Sequence, residues 1–160
     1  MEELKAGHAI LVFRTEDRFH ALLLDAVEKV ELSVEVASLP DSPRIVLGVI
    51  DWRGTILPVL SMRRRLRLPE KSIDLDDRLI IARSSRRRFA LLVEEIMRVT
   101  SITDEDTAAA EGIWRGMESI AGAVKIDADI VLIHDLDSFL DETEESALEE
   151  ALGRAGSASG

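Results

Sequence analysis

Apolar and polar residues alternate in short blocks along most of this chain, which is typical of strands joined by tight turns. The longest block, Gly48-Val-Ile-Asp-Trp-Arg-Gly54-Thr-Ile-Leu-Pro-Val-Leu60, predicts two apolar strands around a reversal at residues 51–54. Gly54 suits this turn because glycine accepts a positive φ without steric cost. Pro58 lies inside the second strand and predicts an edge strand or a bulge there.

A large aromatic residue occupies the tip of this predicted hairpin. Trp52 and Arg53 fall where the chain reverses, next to Asp51 and Gly54. Loop tips carry binding residues more often than strand interiors do, and tryptophan combines a large apolar surface with one hydrogen-bond donor. The position therefore favours recognition of a partner over filling of the core.

Further strands follow from the same pattern. Apolar runs at 9–14 and 19–24 predict a first hairpin, runs at 79–82 and 89–93 predict another, and the last two strands are expected at 118–125 and 130–133. Period-two alternation predicts a strand over 31–36, and two valines three apart before it suit one helical turn or the entry to that strand.

The remaining segments predict loops and short helices. Residues 70–77 are polar and predict a linker, and residues 103–116 lack periodicity and predict a long loop. A helical turn is expected at 136–139. Helix-forming residues with an acidic face predict a helix over 142–152, followed by a disordered tail from 153.

The sequence contains an internal repeat. Residues 20–30 align without a gap with residues 89–99, and after a small insertion residues 56–59 align with 130–133. Each half therefore holds about five strands, enough to close a small barrel, and we expect a pseudo-two-fold pair of β-subdomains with a groove between them. The two hairpin tips differ, since Asp-Trp-Arg-Gly stands in the first half and Ile-Asp-Ala-Asp in the second. A Trp-Arg pair in one half only is typical of a site added to a repeated scaffold.

Composition narrows the class of protein. The 160 residues are 46% hydrophobic and 32% charged, which is the balance of a globular domain. Only 4% are aromatic, so the core is expected to be aliphatic. No cysteine is present, which excludes disulfides, thiolate metal sites and cysteine nucleophiles.

Charge and segment patterns bear on location. The formal net charge of -11 argues against non-specific binding of nucleic acid or of an anionic membrane. No apolar run reaches the roughly 20 residues that span a bilayer, and residues 1–7 lack the pattern of a signal peptide. We expect a cytoplasmic protein without direct membrane insertion.

Candidates for catalysis are few. His8, His20 and His134 are scattered without metal-binding spacing, and His20 aligns with Phe89 of the other half, which favours a structural role. Four aspartates between residues 127 and 137 lack the glycine and terminal glutamate of a calcium loop. Phosphate-binding glycine motifs and a Gly-x-Ser-x-Gly elbow are also missing. We therefore predict no catalytic residues, no metal and no cofactor.

Two arginine clusters allow more than one interpretation. Residues 63–65 together with Arg67 follow the central hairpin, and residues 86–88 lie in a hairpin turn. A solvated structural role is favoured for both, while the first cluster also suits an acidic partner. Nucleic acid is the rival, because small barrels bind it, but this chain has few aromatics for base stacking.

The central motif resembles a known signature. The run Leu47-Gly-Val-Ile-Asp-Trp-Arg-Gly-Thr-Ile-Leu-Pro-Val-Leu-Ser-Met-Arg63 is similar to the CheW-like pattern Gly-Val-Ile-Asn-Leu-Arg-Gly-x-Ile-Leu-Pro-Val-x-Asp-Leu-Arg. Residues 89–99 and 122–140 resemble, in order, later segments of the same family. The resemblance covers about residues 8–141.

The resemblance implies a fold and a function. The fold is mainly β, with two intertwined five-stranded SH3-like β-barrel subdomains over residues 8–141, short helices, an arm at 1–7 and an acidic helix and tail at 142–160. CheW-like proteins are non-enzymatic adaptors that couple methyl-accepting chemoreceptor signalling tips to the regulatory domain of a CheA-type histidine kinase. This chain carries no receiver, phosphoacceptor or ATP-binding segment, so the resemblance implies a stand-alone coupling protein.

The resemblance also implies site residues. Arg53 and Gly54 match the family's tip near the receptor-binding groove, and Val27 and Val30 match an apolar pair that helps form this groove. The physical expectation is a receptor helix laid in an apolar groove, with Arg53 making polar contacts at its rim.

Several positions depart from the family pattern. Asp51 and Trp52 replace Asn-Leu, and Lys29 stands where the family often has a glutamate able to pair with the tip arginine. Two cations cannot form that ion pair, so the rim is expected to be more positive. Trp52 is either a partner anchor or a larger core residue. These departures suggest, as an alternative, a specialised chemosensory system controlling surface motility, development or second-messenger output; a nucleic-acid-binding small barrel is the remote alternative.

Overall fold

Ten strands and a few helices form the residues described by this computed structural model, 7–109 and 120–159. The strands are β1 (Ala9–Thr15), β2 (Arg18–Leu23), β3 (Val27–Leu32), β4 (Val46–Trp52), β5 (Thr55–Ser61), β6 (Arg78–Arg83), β7 (Arg88–Val93), β8 (Glu95–Ser101), β9 (Ile120–Ile126) and β10 (Asp129–His134). The helices are α1 (Met62–Arg65), α2 (Asp104–Ala109) and α3 (Glu142–Ser159), with 3₁₀ turns at Leu24–Ala26 and Leu136–Ser138. The predicted mainly β class is confirmed.

The strands form two five-stranded sheets. Sheet A has the order β8-β1-β2-β10-β9, and sheet B has the order β3-β6-β7-β5-β4. Each sheet combines a hairpin from one half of the sequence with three strands from the other half. Replacing every strand of sheet A by its repeat equivalent, five strands away along the chain, reproduces the order of sheet B.

This interleaving corrects one expectation. The prediction that each half closes its own barrel is wrong, because the β1–β2 hairpin pairs with β8 and β10, while β3, β4 and β5 join the β6–β7 hairpin. The parallel pairings show the same register in both sheets, since Ile133 lies opposite Ala21 and the equivalent Val59 lies opposite Ala90. Parallel strands require a long crossover, so local patterns reveal the hairpins but not their outer partners.

The two sheets share one hydrophobic core. Phe13 and Leu22 of sheet A belong to the same buried cluster as Ile80 and Leu91 of sheet B. Each sheet also has a smaller aliphatic cluster of its own, around Val124 in sheet A and around Val59 in sheet B. The shared cluster joins the sheets into one body, because neither sheet buries its apolar surface alone.

A backbone bridge joins the outer strands of sheet B. The Ala37 and Val49 backbones exchange two hydrogen bonds of 2.9 and 2.8 Å, which connect the chain after β3 to β4. Gly48 makes this approach possible, because a Cβ at this position would lie 2.0 Å from the carbonyl oxygen of Ala37. The bridge brings β3 and the β4–β5 hairpin to the same side of the barrel.

Several predicted boundaries need correction. The strand expected at 31–36 instead ends at Leu32, and β8 was not predicted because it is a largely exposed edge strand without clean alternation. The predicted loop at 103–116 contains α2, whose start is capped by reciprocal hydrogen bonds between Thr103 and Asp106. Thr-x-x-Asp is a helix-capping pattern, and the prediction of a loop at 103–116 did not take it into account. Residues 110–116 lie outside the described residues.

The proline and the C-terminal helix bear on two further predictions. β5 lies between β7 and β4, so the edge-strand alternative for Pro58 is wrong. The bulge alternative fits, because β4 has a register shift between Val46 and Gly48, opposite the two residues after Pro58, and β5 pairs with β7 only from Val59. α3 begins as predicted, capped by Asp141, but it runs to Ser159 where a disordered tail was expected from 153. In the described part of the chain, no helix combines the length and hydropathy needed to cross a membrane. The division of the chain at residues 8 and 142 stays a prediction.

Candidate functional site: the tip of the β4–β5 hairpin

The tip of the β4–β5 hairpin is a two-residue turn. Arg53 and Gly54 have φ values of 53° and 84°, and Trp52 lies opposite Thr55 at the closing pair. Positive φ at both central residues is the condition for the type I′ turn that suits the twist of a hairpin. The Gly54 N–H donates to the Asp51 carboxylate at 2.8 Å, so Asp51 fixes the turn.

Trp52 lies half-buried between the core and the surface. Its ring packs against the aliphatic cluster of sheet B, and its indole Nε1 donates to Glu31 Oε1 of β3 at 3.2 Å. The sequence left open whether this residue is core or anchor, and its half-buried position is compatible with both. The hydrogen bond ties the tip to β3.

Arg53 is exposed and stacks on the tryptophan. Its guanidinium carbon lies 4.9 Å from the centre of the Trp52 ring, and the Arg88 guanidinium approaches the same ring at 5.7 Å. Both distances are within the range of cation–π attraction. Among the described residues, no carboxylate lies within 4.0 Å of the Arg53 guanidinium, which leaves its donors available to a partner.

The predicted excess of positive charge near the tip is partly offset. Lys29 Nζ lies 3.2 Å from Glu31 Oε1, so Lys29 has a carboxylate partner within its own strand. The hydrogen bonds from Trp52 and Lys29 hold the pKa of Glu31 below its usual range, and the charge of Arg53 acts in the same direction. Glu31, which the sequence analysis passed over, is therefore the residue that links β3 to the tip.

Val27 and Val30 lie on the same strand as Glu31 but face the interior. Both are half-buried and pack against the shared core, with Val27 opposite Ala82 and Val30 opposite Ile80. These two valines therefore hold β3 against the shared core. More exposed apolar surface near the tip comes from Ile56, opposite Asp51, and from Leu32, next to Glu31, with 56% and 64% of their surface accessible. Leu32 shares a strand face with Val30, and Ile56 shares one with Leu60, but both lie at strand ends where the core no longer covers that face. The sequence analysis did not use this signal.

Comparison with known proteins decides the family. A model of the CheW-like domain matches residues 9–144. The chain belongs to the CheW-like domain family. The chemotaxis protein CheW of Bacillus subtilis is 29% identical over 91% of this chain and 96% of its own length, and that of Rhizobium meliloti is 27% identical over 88% and 92%.

A solved structure shares the fold. The crystal structure of the scaffolding protein TtCheW from Thermoanaerobacter tengcongensis superposes with a TM-score of 0.77, at 22% identity, over 86% of this chain and 95% of that one. The two interleaved sheets described above are therefore the CheW-like fold.

Two of the three histidines of this CheW-like chain, His20 and His134, lie in its core. His20 Nδ1 is 2.8 Å from His134 Nε2, and the rings contact Phe13 and Phe139. Burial lowers the pKa of His20 to about 4 and that of His134 to about 3, so both are neutral at pH 7. The neighbouring Asp135 carboxylate accepts hydrogen bonds within the adjacent 3₁₀ turn instead of orienting His134.

The arginine clusters are largely committed to internal ion pairs. Arg63 binds Glu16 and Glu94, Arg64 binds Glu70, Arg65 binds Glu144, Arg87 binds Glu145 and Arg88 binds Glu28. Charges neutralised in this way contribute little to phosphate-backbone binding. The geometry supports the structural interpretation over nucleic-acid binding. Within residues 7–109 and 120–159, no three potential metal ligands lie close enough together to hold an ion.

Proposed function

We propose that this chain is a non-enzymatic adaptor that couples methyl-accepting chemoreceptors to a CheA-type histidine kinase. The observation that carries the proposal is the hairpin tip within a CheW-like fold. An arginine without a carboxylate partner among the described residues projects from a tight turn beside a half-buried tryptophan. Relatives that cover nearly the whole chain bear the name chemotaxis protein CheW.

The receptor side is assigned to the tip and the adjoining β3. A helical receptor tip offers an apolar stripe and a row of polar groups, and exposed Leu32 and Ile56 beside Arg53 provide complementary chemistry. Tryptophan and arginine contribute disproportionately to interface free energy. Half-buried Trp52, with Arg53 stacked on its ring, serves as the anchor, while Val27 and Val30 hold β3 in place from the core side.

The kinase side is assigned to sheet A. β8 exposes Met97 and Val99, with 41% and 55% of their surface accessible, and a cavity of about 210 Å³ opens between β8 and the β9–β10 tip. Phe19 and Val131 line that cavity together with Met97. An apolar recess next to exposed strand residues suits packing against another small barrel, such as the kinase regulatory domain.

This role implies a cytoplasmic protein located at receptor arrays on the inner membrane, without catalytic groups, metal or cofactor. A specialised chemosensory system controlling surface motility, development or second-messenger output is the alternative, because the departures at Trp52 and Lys29 change the rim that a receptor would meet.

Calorimetric titration of the chain against a receptor-tip hairpin and against a kinase regulatory domain tests the proposal. We expect micromolar binding to both, with Arg53→Ala weakening only the receptor titration and Met97→Glu weakening only the kinase titration. Thermal midpoints should stay within a few degrees of the parent. Arg86→Ala is the matched control, because it removes an exposed arginine of the β6–β7 turn without touching either surface.

Two outcomes would contradict the assignment. Binding of neither partner would show that the CheW-like fold serves another partner here. A large fall in thermal midpoint for Arg53→Ala would show that this arginine stabilises the fold and is not reserved for binding.

A further inference from the structure

An arginine-lined cavity lies away from the hairpin tip, between α1 and the start of α3. It has a volume of about 620 Å³ and is lined by Arg44, Arg64, Arg65 and Arg67, with Asp141 and Glu144 as the acidic residues of its wall. Four guanidinium groups around one open cavity are an unusual concentration of donors in a chain with a net charge of -11. The adaptor role assigns no function to this cavity.

The carboxylates of the cavity are already engaged. Glu144 receives Arg65 through both carboxylate oxygens and also accepts the Asp141 N–H at 3.0 Å. Asp141 in turn accepts the Glu144 N–H at 2.7 Å, so this pair caps the start of α3. Glu144 is thus paired with Arg65 and Asp141 caps α3, and among the described residues neither acid forms an ion pair with Arg44 or Arg67.

Two arginines keep donors to spare. Arg44 reaches Glu70 only at 4.0 Å, and this carboxylate is shared with Arg64, which lies closer at 3.0 Å. Arg67 is exposed and has no ion pair with any residue in the described part of the chain. Guanidinium groups bind phosphate oxygens through two parallel N–H bonds, which gives both strength and orientation.

The backbone places Arg67 at a position where glycine is the usual residue. The Arg67 N–H donates to the Arg64 carbonyl and the Leu68 N–H to the Arg63 carbonyl, which together form the Schellman end of α1. Arg67 has a φ of 57°, a left-handed conformation that a side chain makes less favourable. An arginine that breaks this local rule, without an ion pair among the described residues to compensate, is a candidate for function.

We propose that this cavity binds the pyrophosphate group of a small anion, either free or carried by an organic molecule, with Arg67 and Arg44 as its principal ligands. Arg44 and Arg67 both line the cavity and keep free N–H donors, so each offers a guanidinium group to one of two linked phosphates. No aromatic side chain of the described residues lines the cavity, so recognition rests on the phosphates and not on a stacked base. Charges elsewhere on the protein are screened beyond about 8 Å at physiological ionic strength.

Calorimetric titration of the full chain with inorganic pyrophosphate, at constant ionic strength, tests the proposal. We expect saturable one-to-one binding that Arg67→Gly weakens at least about tenfold, the loss of one charge-assisted contact. Glycine suits the left-handed position, so the thermal midpoint of Arg67→Gly should not fall, which separates binding from folding. Arg67→Lys keeps the charge but loses the bidentate geometry, and should bind with intermediate affinity.

Controls separate this site from general attraction of anions. Arg18→Ala removes the same charge from β2, outside the cavity, and should bind pyrophosphate like the parent. A parallel titration with a nucleoside diphosphate distinguishes the sources: equal affinity indicates that the phosphates alone are recognised, and tighter binding indicates an organic carrier. Absence of saturable binding, equal binding of sulfate, or full affinity in Arg67→Gly would overturn the proposal, as would binding of an acidic peptide in place of pyrophosphate.

Discussion

The two hairpin tips occupy equivalent places in the repeat but carry opposite chemistry. In sheet A, Asp127 has a φ of 56° at the tip and accepts Arg98 of β8 at 3.0 Å. In sheet B, Arg53 takes the place of Asp127, and Lys29 takes the place of Arg98. An acid–base pair therefore joins tip to strand in sheet A. In sheet B both equivalent residues are cations, and the Trp52–Glu31 hydrogen bond joins the tip to β3 instead.

The recess beside each tip differs as well. In sheet A the recess is open, with Ile126 and Phe19 among its walls. In sheet B the equivalent positions hold Trp52 and Arg88, whose side chains stack on one another. The backbone of the repeat therefore sets where a site lies, while a few tip residues decide whether its charged groups are paired within the protein or available to a partner.

The largest loss of stability should come from breaking the Ala37–Val49 bridge, which places the tip of sheet B beside β3. Gly48→Ala places a Cβ against the Ala37 carbonyl, and we expect a loss of about 3 kcal/mol or more in the free energy of unfolding. Chemical denaturation measures it. Gly54→Ala is the control, since its Cβ meets open space and only its positive φ costs about 1 kcal/mol. Equal losses would refute the steric explanation.

The buried histidines give the next largest effect. The repeat equivalents of His20 and His134 are Phe89 and Leu60 of sheet B, so His20→Phe with His134→Leu copies residues of sheet B onto sheet A. Both folded pKa values lie below 6.5, so the unfolded state binds more protons between pH 6.5 and about 4, and stability falls as pH decreases through that window.

Denaturation at pH 7 and pH 5 checks this prediction. We expect the parent to lose roughly 3 kcal/mol between these pH values and the double variant to lose far less. Most carboxylates remain ionised at pH 5, so the difference isolates the histidines. Parallel pH curves for the two proteins would contradict the prediction.

A smaller effect is expected from Trp52→Ile, which copies the tip of sheet A. The variant loses the Glu31 hydrogen bond and part of a half-buried ring, so we expect a loss of about 1–2 kcal/mol and an opened recess. Receptor-tip affinity should fall more steeply than stability. If affinity is unchanged while stability falls, Trp52 is a core residue and the anchor role is wrong.

The smallest change in stability should follow Arg53→Asp, which restores an acid opposite Lys29. Aspartate tolerates the left-handed turn, and an exposed pair adds at most about 1 kcal/mol, so the thermal midpoint should stay constant or rise slightly. Binding of a receptor tip should nevertheless be lost. Retained binding would show that the charge of Arg53 is not what the receptor recognises.

The sequence predicted the repeat, the central hairpin and the tip residues, because each depends on local alternation and turn chemistry. It did not predict that β2 pairs with β10, because parallel pairing across more than a hundred residues leaves no local pattern. The role of Glu31 was missed for a similar reason: only the Ala37–Val49 bridge brings β3 to the tip. Arg67 was noticed as a charge, but its left-handed backbone becomes visible only in three dimensions.

The interleaved halves also set an order of assembly during synthesis. All strands of sheet B have been made once the ribosome has passed Val93, whereas sheet A needs β10, which ends at His134. The β1–β2 hairpin is made first, but the edge of β2 that pairs with β10 stays unpaired until the last strands have been made. Until β10 is made, β2 has no strand to pair with on that side, although every strand of sheet B is already present in the chain.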